Sequence, residues 1–582
     1  MIVIRGVGAS SGIAMGPAYI LDAEKMRAHK TKISKTSVKS EVLKFKNAVD
    51  LTLKDLDTAE AKALKMLGKE HAKLIETHKM ILQDPLIKKD IPNKIIKENV
   101  TAEYALLQTL ETLDEAFNRI EDTFFKERRH DLFDVCKKLH NHIAKKSEQK
   151  FKDITTPVIV IAHTLYPSDT ISLQEKKVLG FTTDIGGKTS HTALLAQTMQ
   201  LPAVVGLLNA SGQIKNGEMI IIDGEQGLLI VAPDKKTLDK YKKLRKQYLE
   251  SEKNLKAIDK LPTITKDGHK IKLMLNIDVS EDLSKIEINA DGVGLLRTEF
   301  LFMNRNSAPG EEEQKSVYTR VLKHFKNKPV IIRLADLGGD KLCQYAIDKE
   351  LCIKEDNPFM GLRGIRLFLR YPDMLKTQLR AIYKAAEDKQ IKDTNIKIMI
   401  PMVSTLAEIL ETKKIIKEVK NELILTNAKV ENIEVGIMVE VPSCALTLDN
   451  ILGEVDFISI GTNDLIQYIL ATDRGNPKIT DMYDPYNPSV LRIISLIIKT
   501  AHQKGKPVAV CGDIATDKNI SPLLVGLGID SLSVTPQTYL KTKQKIRNIT
   551  FEDCSKVVSQ SLLMANPKEI KKFVVENLNE NP

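Results

Sequence analysis

The chain contains no tryptophan, and only 5% of its 582 residues are aromatic. No stretch interleaves basic and aromatic side chains as a base-stacking surface does, which argues against a nucleic-acid partner. Cysteine is scarce too. The six, Cys136, Cys343, Cys352, Cys444, Cys511 and Cys554, are scattered and form no CxxC pair. That excludes both a zinc ribbon and a disulfide framework. No apolar run approaches the roughly 18 residues that a membrane-spanning helix requires, so no membrane insertion is expected. The first residues mix glycine with short apolar pieces and lack the basic-then-apolar order of a secretory signal, which predicts a cytoplasmic protein. No G-x-G-x-x-G follows a candidate strand and no G-x-x-x-x-G-K-[ST] occurs, so the common nucleotide loops are missing.

Charge is plentiful but mixed. Lys and Arg total 87 against 76 Asp and Glu, a net +11. Between Thr36 and Glu148 there are 21 basic and 20 acidic residues. Such alternation describes a solvated lysine-rich surface and not a binding patch.

Hydrophobic periodicity divides the chain. Residues 1–35 read as strands and turns punctuated by Gly6, Gly8, Gly12 and Gly16. From Thr36 the pattern becomes helical. Val38, Val42, Phe45, Val49, Leu53 and Leu56 recur at three- and four-residue steps, one apolar stripe of a bundle helix. Asp84-Pro85 breaks the pattern, which then resumes to about residue 148. Residues 149–233 turn β-like again, with strands expected at Val158–Ile161, Val178–Phe181 and Met219–Ile222. These join residues 1–35 in one α/β unit with the helical block, 36–148, inserted. Residues 234–260 are dense in Lys and Glu and read as a linker helix. In 261–582 strand and helix patterns alternate. Candidate strands are Ile271–Asn276, Gly292–Leu296, Val330–Leu334, Ile396–Pro401, Val435–Val441, Phe457–Gly461 and Pro507–Cys511. The fold class expected is therefore multidomain α/β with a C-terminal TIM (β/α)8 barrel; a doubly wound open sheet is the alternative.

A barrel places its chemistry where strands end, and polar residues stand at those points. Arg297, Arg333, Glu440, Asn463-Asp464 and Cys511 each close or follow an apolar strand run. For any one of them alone, a structural ion pair or a buried thiol is the better reading; five in successive strand units describe a site. Arginines offer forked donors to phosphate or carboxylate. Glu440 and Asp464 can hold Mg²⁺, an ion content with few protein oxygens when an anionic ligand supplies others. Without a histidine or thiolate cluster, zinc does not fit. The second focus is Gly186-Gly187-Lys188-Thr189-Ser190-His191-Thr192. Glycines and hydroxyl residues before a helix suit the approach of a phosphate. There His191 can act as a nucleophile or merely cap and pack.

These segments resemble the enzyme I family of bacterial phosphotransferase systems, the phosphoenolpyruvate–protein phosphotransferases. The resemblance is carried by the His191 segment and Leu201-Pro202-Ala203-Val204-Val205-Gly206. It extends through Asp291-Gly292-Val293-Gly294-Leu295-Leu296-Arg297-Thr298-Glu299-Phe300, Asp336-Leu337-Gly338-Gly339-Asp340-Lys341 and Asn357-Pro358-Phe359. Glu440-Val441-Pro442-Ser443, Gly461-Thr462-Asn463-Asp464-Leu465, Ala471-Thr472-Asp473-Arg474-Gly475-Asn476 and Cys511-Gly512 complete it, from about Gly6 to the C-terminus. It implies that His191 is phosphorylated by phosphoenolpyruvate and passes the group to the carrier protein HPr. Arg297 and Arg333 would hold the phosphate, with Lys341 and Arg363 assisting. Arg474 and Asn463 would grip the carboxylate, Glu440 and Asp464 would bind Mg²⁺, and Cys511 would protonate the leaving enolate. The helical block would dock HPr, and a homodimer would form through the barrel.

The chain departs from the family pattern at Leu362 (usually Trp), Asp513 (usually Glu), His163-Thr164-Leu165-Tyr166 (usually an Asp-Leu-Thr run) and Gln197 (commonly Arg). A pyruvate phosphate dikinase would need an ATP-grasp domain, for which the residues before His191 leave no room. A non-catalytic scaffold would have no use for the arginine, carboxylate and thiol set.

Overall fold

The computed structural model describes residues 1–21, 31–66, 69–118, 123–144, 154–165, 177–187, 193, 196, 199, 201–303, 305, 307–338, 355, 357–388, 391, 395–426, 430–476 and 478–578. They form two compact units, Met1–Glu252 and Lys253–Pro582.

In the first unit, helices α1 (Val38–Met66), α2 (Lys69–Gln83), α3 (Ile91–Glu98), α4 (Ala102–Asn118) and α5 (Thr123–Ile143) make the bundle. The stripe read from the sequence is the inner face of α1. Phe45, Val49 and Leu56 are buried, with Val38, Val42 and Leu53 packed against them. At Asp84-Pro85 helix α2 has ended, and the chain passes through a single π-type turn, Leu86–Asp90, before α3. Proline lacks the N–H needed to continue the preceding ladder.

Strands β1 (Ile2–Arg5), β2 (Val7–Ser10), β3 (Ile13–Leu21), β4 (Val158–Ala162), β5 (Val178–Thr183), β6 (Ala203–Val205), β7 (Met219–Asp223) and β8 (Leu228–Val231) pair in the order β1-β8-β7-β3-β4-β5-β6-β2. Strands β3 to β6 run parallel, and the flanking pairings are antiparallel. The bundle therefore enters the chain between two neighbouring strands, β3 and β4. Helix α6 (Lys235–Ala257) is charged along most of its length. Its first half nevertheless sets Leu238, Tyr241 and Leu244 against Ile13, Met15, Ile221 and Ile230 of the sheet.

The second unit is a closed barrel of parallel strands: β9 (Lys272–Asp278), β10 (Val293–Arg297), β11 (Val330–Arg333), β12 (Ile396–Ile400), β13 (Glu434–Val439), β14 (Ile458–Gly461), β15 (Val508–Cys511) and β16 (Ser531–Val534). The open-sheet alternative falls, because β16 pairs with β9 and closes the ring. Seven of these strands coincide with those expected; β16 was not among them. Alternation on the strands explains both results. Leu296, Ile332, Ile398, Ile437, Val439 and Ile460 face the helical shell. Leu295, Ile331, Met399, Met438 and Cys511 share the apolar interior. Strand β16 contributes Leu532 and Val534 to the shell side, while Ser531 and Ser533 are buried without extending an apolar run.

Among the described residues no helix is long and apolar enough to cross a membrane. The described cysteines, Cys136, Cys444, Cys511 and Cys554, are all buried and unpaired.

Candidate active site

The strand-end residues converge. Arg297, Arg333 and Cys511 are the last residues of β10, β11 and β15, Glu440 follows β13, and Asn463 and Asp464 begin the helix Thr462–Leu470 directly after β14. All six line one cleft of about 410 Å³ together with Arg474. Parallel strands in a closed barrel end on one rim, so residues far apart in sequence meet there. Two glycines make the approach possible. A Cβ at Gly461 would lie 2.6 Å from the Glu440 carboxylate, and Gly512 has φ +114° with room for no Cβ beside the Thr462 hydroxyl.

The cleft has an open rim and a buried floor. On the rim, Arg297 is 38% exposed and stands 4.0 Å from Asp278. The Asn463 amide is oriented by Asp513, donating to its carboxylate at 3.3 Å and accepting from its backbone N–H at 3.0 Å. Asp513, where the family pattern has Glu, thus holds Asn463 and not the thiol.

On the floor, four carboxylates (Glu299, Asp336, Glu440, Asp464) and two guanidiniums (Arg333, Arg363) are buried together. Arg333 donates to Glu299 at 2.8 Å. Its Nη1 meets the Met438 thioether at 3.6 Å and stands 3.9 Å from the Asp336 carboxylate. Its Nε is buried, with no hydrogen-bond partner among the described residues. Glu299 also accepts the backbone N–H of Asp336 at 2.8 Å. Burial opposes the charge on Arg333, but Glu299, Asp336 and Glu440 outweigh it and hold its pKa above the usual guanidinium value. Glu440 accepts the N–H of Met402 at 2.7 Å. Met402 takes φ +58° to present it, a backbone state that costs a non-glycine residue about 1–2 kcal/mol. Burial, then the charges of Asp464 and Asp336, push the Glu440 carboxyl up to about 8, against the pull of Arg333 and Arg363.

Arg363, expected to assist with phosphate, is 0% exposed and does not line the cleft. It lies beneath, between Asp336 and Asp464. Lys341 and His191 fall outside the described residues, as do Gln197 and Tyr166. Of the His191 segment, Gly186 and Gly187 are described, and Ala193, Ala196 and Met199 are helical, the two alanines being buried against the sheet. At the end of β5, buried Asp184 accepts the Ser211 N–H at 3.0 Å, the Ser211 hydroxyl and His163 Nδ1 at 3.1 Å. Leu362 packs partly buried on the barrel core.

Cys511 lies 2% exposed. Its Sγ meets the Ser459 hydroxyl at 3.4 Å and the Ile460 carbonyl at 3.6 Å. Burial raises its pKa above the ordinary thiol value, with the Ser459 hydrogen bond and Arg333 pulling down. Near neutral pH it therefore keeps its proton, as a donor must.

A divalent cation suits the floor. Carboxylates outnumber guanidiniums on the floor even with Glu440 protonated, and a divalent ion would offset that negative charge and favour the ionised form of Glu440. Among the described residues no three His, Cys, Asp or Glu side chains form a complete cage. Two carboxylates completed by ligand oxygens and water is the arrangement expected of Mg²⁺. Glu299 and Asp336 stood within the motifs quoted from the sequence but were given no role there, and Met402, Ser459 and Tyr468 were not singled out.

Comparison with known proteins agrees with this geometry. Residues 5–128 match the N-terminal domain of PEP-utilising enzymes, residues 154–227 their mobile domain, and residues 252–551 their PEP-binding domain. The phosphoenolpyruvate-protein phosphotransferase of Priestia megaterium is 40% identical over 574 residues, 98% of both chains. That of Bacillus subtilis strain 168 is 38% identical over 575 residues, covering 98% of this chain and 99% of its own. That of Geobacillus stearothermophilus is 38% identical over 573 residues, 98% of this chain and 97% of its own. With such identity along nearly its whole length, and the three domains of PEP-utilising enzymes in order, this chain belongs to the phosphoenolpyruvate-protein phosphotransferases, the enzyme I family.

Proposed function

We propose that this chain takes the phosphoryl group of phosphoenolpyruvate onto His191 and passes it to the histidine of the carrier HPr, releasing pyruvate as the first step of a cytoplasmic sugar phosphotransferase system. The observation that carries this reading is the cleft itself. Arginines, two carboxylates and a protonated thiol surround one space of about 410 Å³, ample for a small phosphorylated acid.

Arg333 lines the cleft, and its buried Nε has no hydrogen-bond partner among the described residues. An anionic phosphate oxygen is the partner that such a donor lacks. Arg297, at the end of the neighbouring strand, contributes a second fork, and Lys341 a further charge. Arg474 and the Asn463 amide, fixed by Asp513, take the carboxylate end. Glu440 and Asp464 hold Mg²⁺, which would neutralise charge on the phosphate and the enolate oxygen. The imidazole of His191 attacks phosphorus, the P–O bond to the enol oxygen breaks, and the electron pair leaves with pyruvate enolate. Cys511 gives its proton to the methylene carbon, yielding pyruvate, and regains one from solvent. In the second half-reaction the phosphoryl group moves from His191 to HPr. Because His191 must serve both the cleft and the carrier, the unit that bears it has to move between them.

We assign residues 1–35 with 149–233 to the phosphohistidine domain, 36–148 to HPr docking, 234–260 to the link, and 261–582 to substrate binding and homodimer formation. The test is incubation with phosphoenolpyruvate labelled in the phosphate, with Mg²⁺ and with purified HPr. Acid-labile, base-stable label on the chain, pyruvate release and transfer to HPr are expected, and His191→Ala should abolish all three. Label that survives His191→Ala would refute the assignment.

A further inference from the structure

Arg363 has five N–H donors, and protein groups take them all. Its Nε donates to Asp336 at 2.9 Å, and Nη2 reaches Asp336 at 2.8 Å and Asp464 at 3.1 Å. Nη1 reaches Asp464 at 3.1 Å and the Tyr468 hydroxyl at 3.3 Å. Tyr468 in turn donates to the Phe359 carbonyl. The phenyl ring of Phe359 covers the guanidinium at 5.8 Å. A guanidinium so saturated has nothing left for a phosphate. Arg333, the last residue of β11, is the contrasting case, with its buried Nε unpartnered among the described residues.

What Arg363 does hold is Asp464, through both carboxylate oxygens. Each oxygen keeps a second lone-pair direction, so a fork behind the carboxylate fixes its plane and leaves its front available. Asp336 anchors the fork from the other side and is itself fully buried. We infer that Arg363 is a positioning residue for the metal-binding carboxylate Asp464, and that it does not touch the phosphate of the substrate. This rests on the reading of Asp464 as a metal ligand. Groups placed behind a ligand in this way orient it, and their loss costs metal affinity even though they never meet the ion.

Lysine cannot replace the fork, because an ammonium is a point charge with three donors and cannot span two carboxylates. The test uses the full-length chain, with Mn²⁺ as probe and the free ion counted by electron paramagnetic resonance. R363K should bind Mn²⁺ about 10–100-fold more weakly, and D464N at least as weakly as that. Binding of phosphoenolpyruvate without divalent ion, measured on a His191→Ala background so that no transfer occurs, should change less than about threefold in R363K, since the phosphate contacts of Arg297 and Arg333 remain. Three results overturn the inference in distinguishable ways. If D464N retains wild-type Mn²⁺ affinity, the metal assignment falls and the positioning role falls with it. If D464N loses the ion while R363K keeps it, only the positioning role falls. If R363K keeps the ion and loses metal-free phosphoenolpyruvate, Arg363 is a substrate contact after all. Should R363K fail to fold, the paired replacement Arg363→Met with Asp336→Leu substitutes apolar bulk for the buried pair. It should show the same loss of Mn²⁺ with its thermal transition intact, and wild-type Mn²⁺ affinity there would equally refute the role.

Discussion

The rim and the floor of the cleft use the same residue types for different ends. On the rim, Arg297 is partly solvated, with its nearest acid 4.0 Å away. On the floor, Arg333 and Arg363 are sealed among carboxylates at 2.8–3.1 Å. An exposed charge contributes little to stability, because water screens it, so it is held in reserve for a ligand. A buried charge must be matched within the protein, and removing one partner strands the other. The rim should therefore report on catalysis, and the floor on catalysis and stability together.

The largest effect that would break this division lies on the floor. Glu299→Ala leaves Arg333 short of its closest acid and should cost about 3–5 kcal/mol of barrel stability, read from urea unfolding. A loss below about 1 kcal/mol would mean that the floor is no more integrated than the rim. Arg297→Ala should behave oppositely. It should lower kcat/KM for phosphoenolpyruvate by about 10²–10³, while the urea midpoint stays within about 0.5 kcal/mol of wild type.

Cys511→Ala sharpens the contrast, for the thiol is buried yet has only weak partners. Pyruvate formation should slow by about 10²-fold or more with phosphoenolpyruvate binding unchanged. The sign of its pKa shift gives a pH test. Because burial raises Cys511 above the ordinary 9.0, thiolate appears only at higher pH. Alkylation mapped to Cys511 by mass spectrometry should stay slow through pH 9 and accelerate above it. Rapid modification at pH 7 would show a lowered pKa and a different role. The smallest change is Tyr468→Phe, which removes one of the five bonds to Arg363 and should cost about 1 kcal/mol by thermal unfolding.

The sequence disclosed the site but not its division into rim and floor. Arg297, Arg333, Glu440, Asn463, Asp464 and Cys511 were legible because each stands where an apolar strand run stops, and a barrel turns that position into a site. Which of them the fold buries was not legible, since burial is a tertiary property. Nothing local tells Arg363, under the floor, from Arg297, above it. Met402 was invisible for another reason. Its role rests on a left-handed backbone that its side chain does not favour, and that the surrounding packing imposes. Strand β16 escaped because its inward residues are serines, so the period-2 signal shrank to Leu532 and Val534. The stripe on α1 was read correctly because a helix burying one face writes that face into local spacing. The His191 segment was legible only as a motif, and His191 itself lies outside the described residues.

The link from Asp336 through Arg363 to Asp464 spans 27 and then 101 residues of chain. A barrel missing its last strands would contain Asp336 and Arg363 but not Asp464, leaving two buried N–H donors of the guanidinium without their acceptor. Partly assembled barrels are thus penalised by unsatisfied buried donors as well as by exposed apolar surface. Assembly of the (β/α)8 unit should be all-or-none near this point, and a fragment ending before residue 464 should refold only when the remainder is supplied.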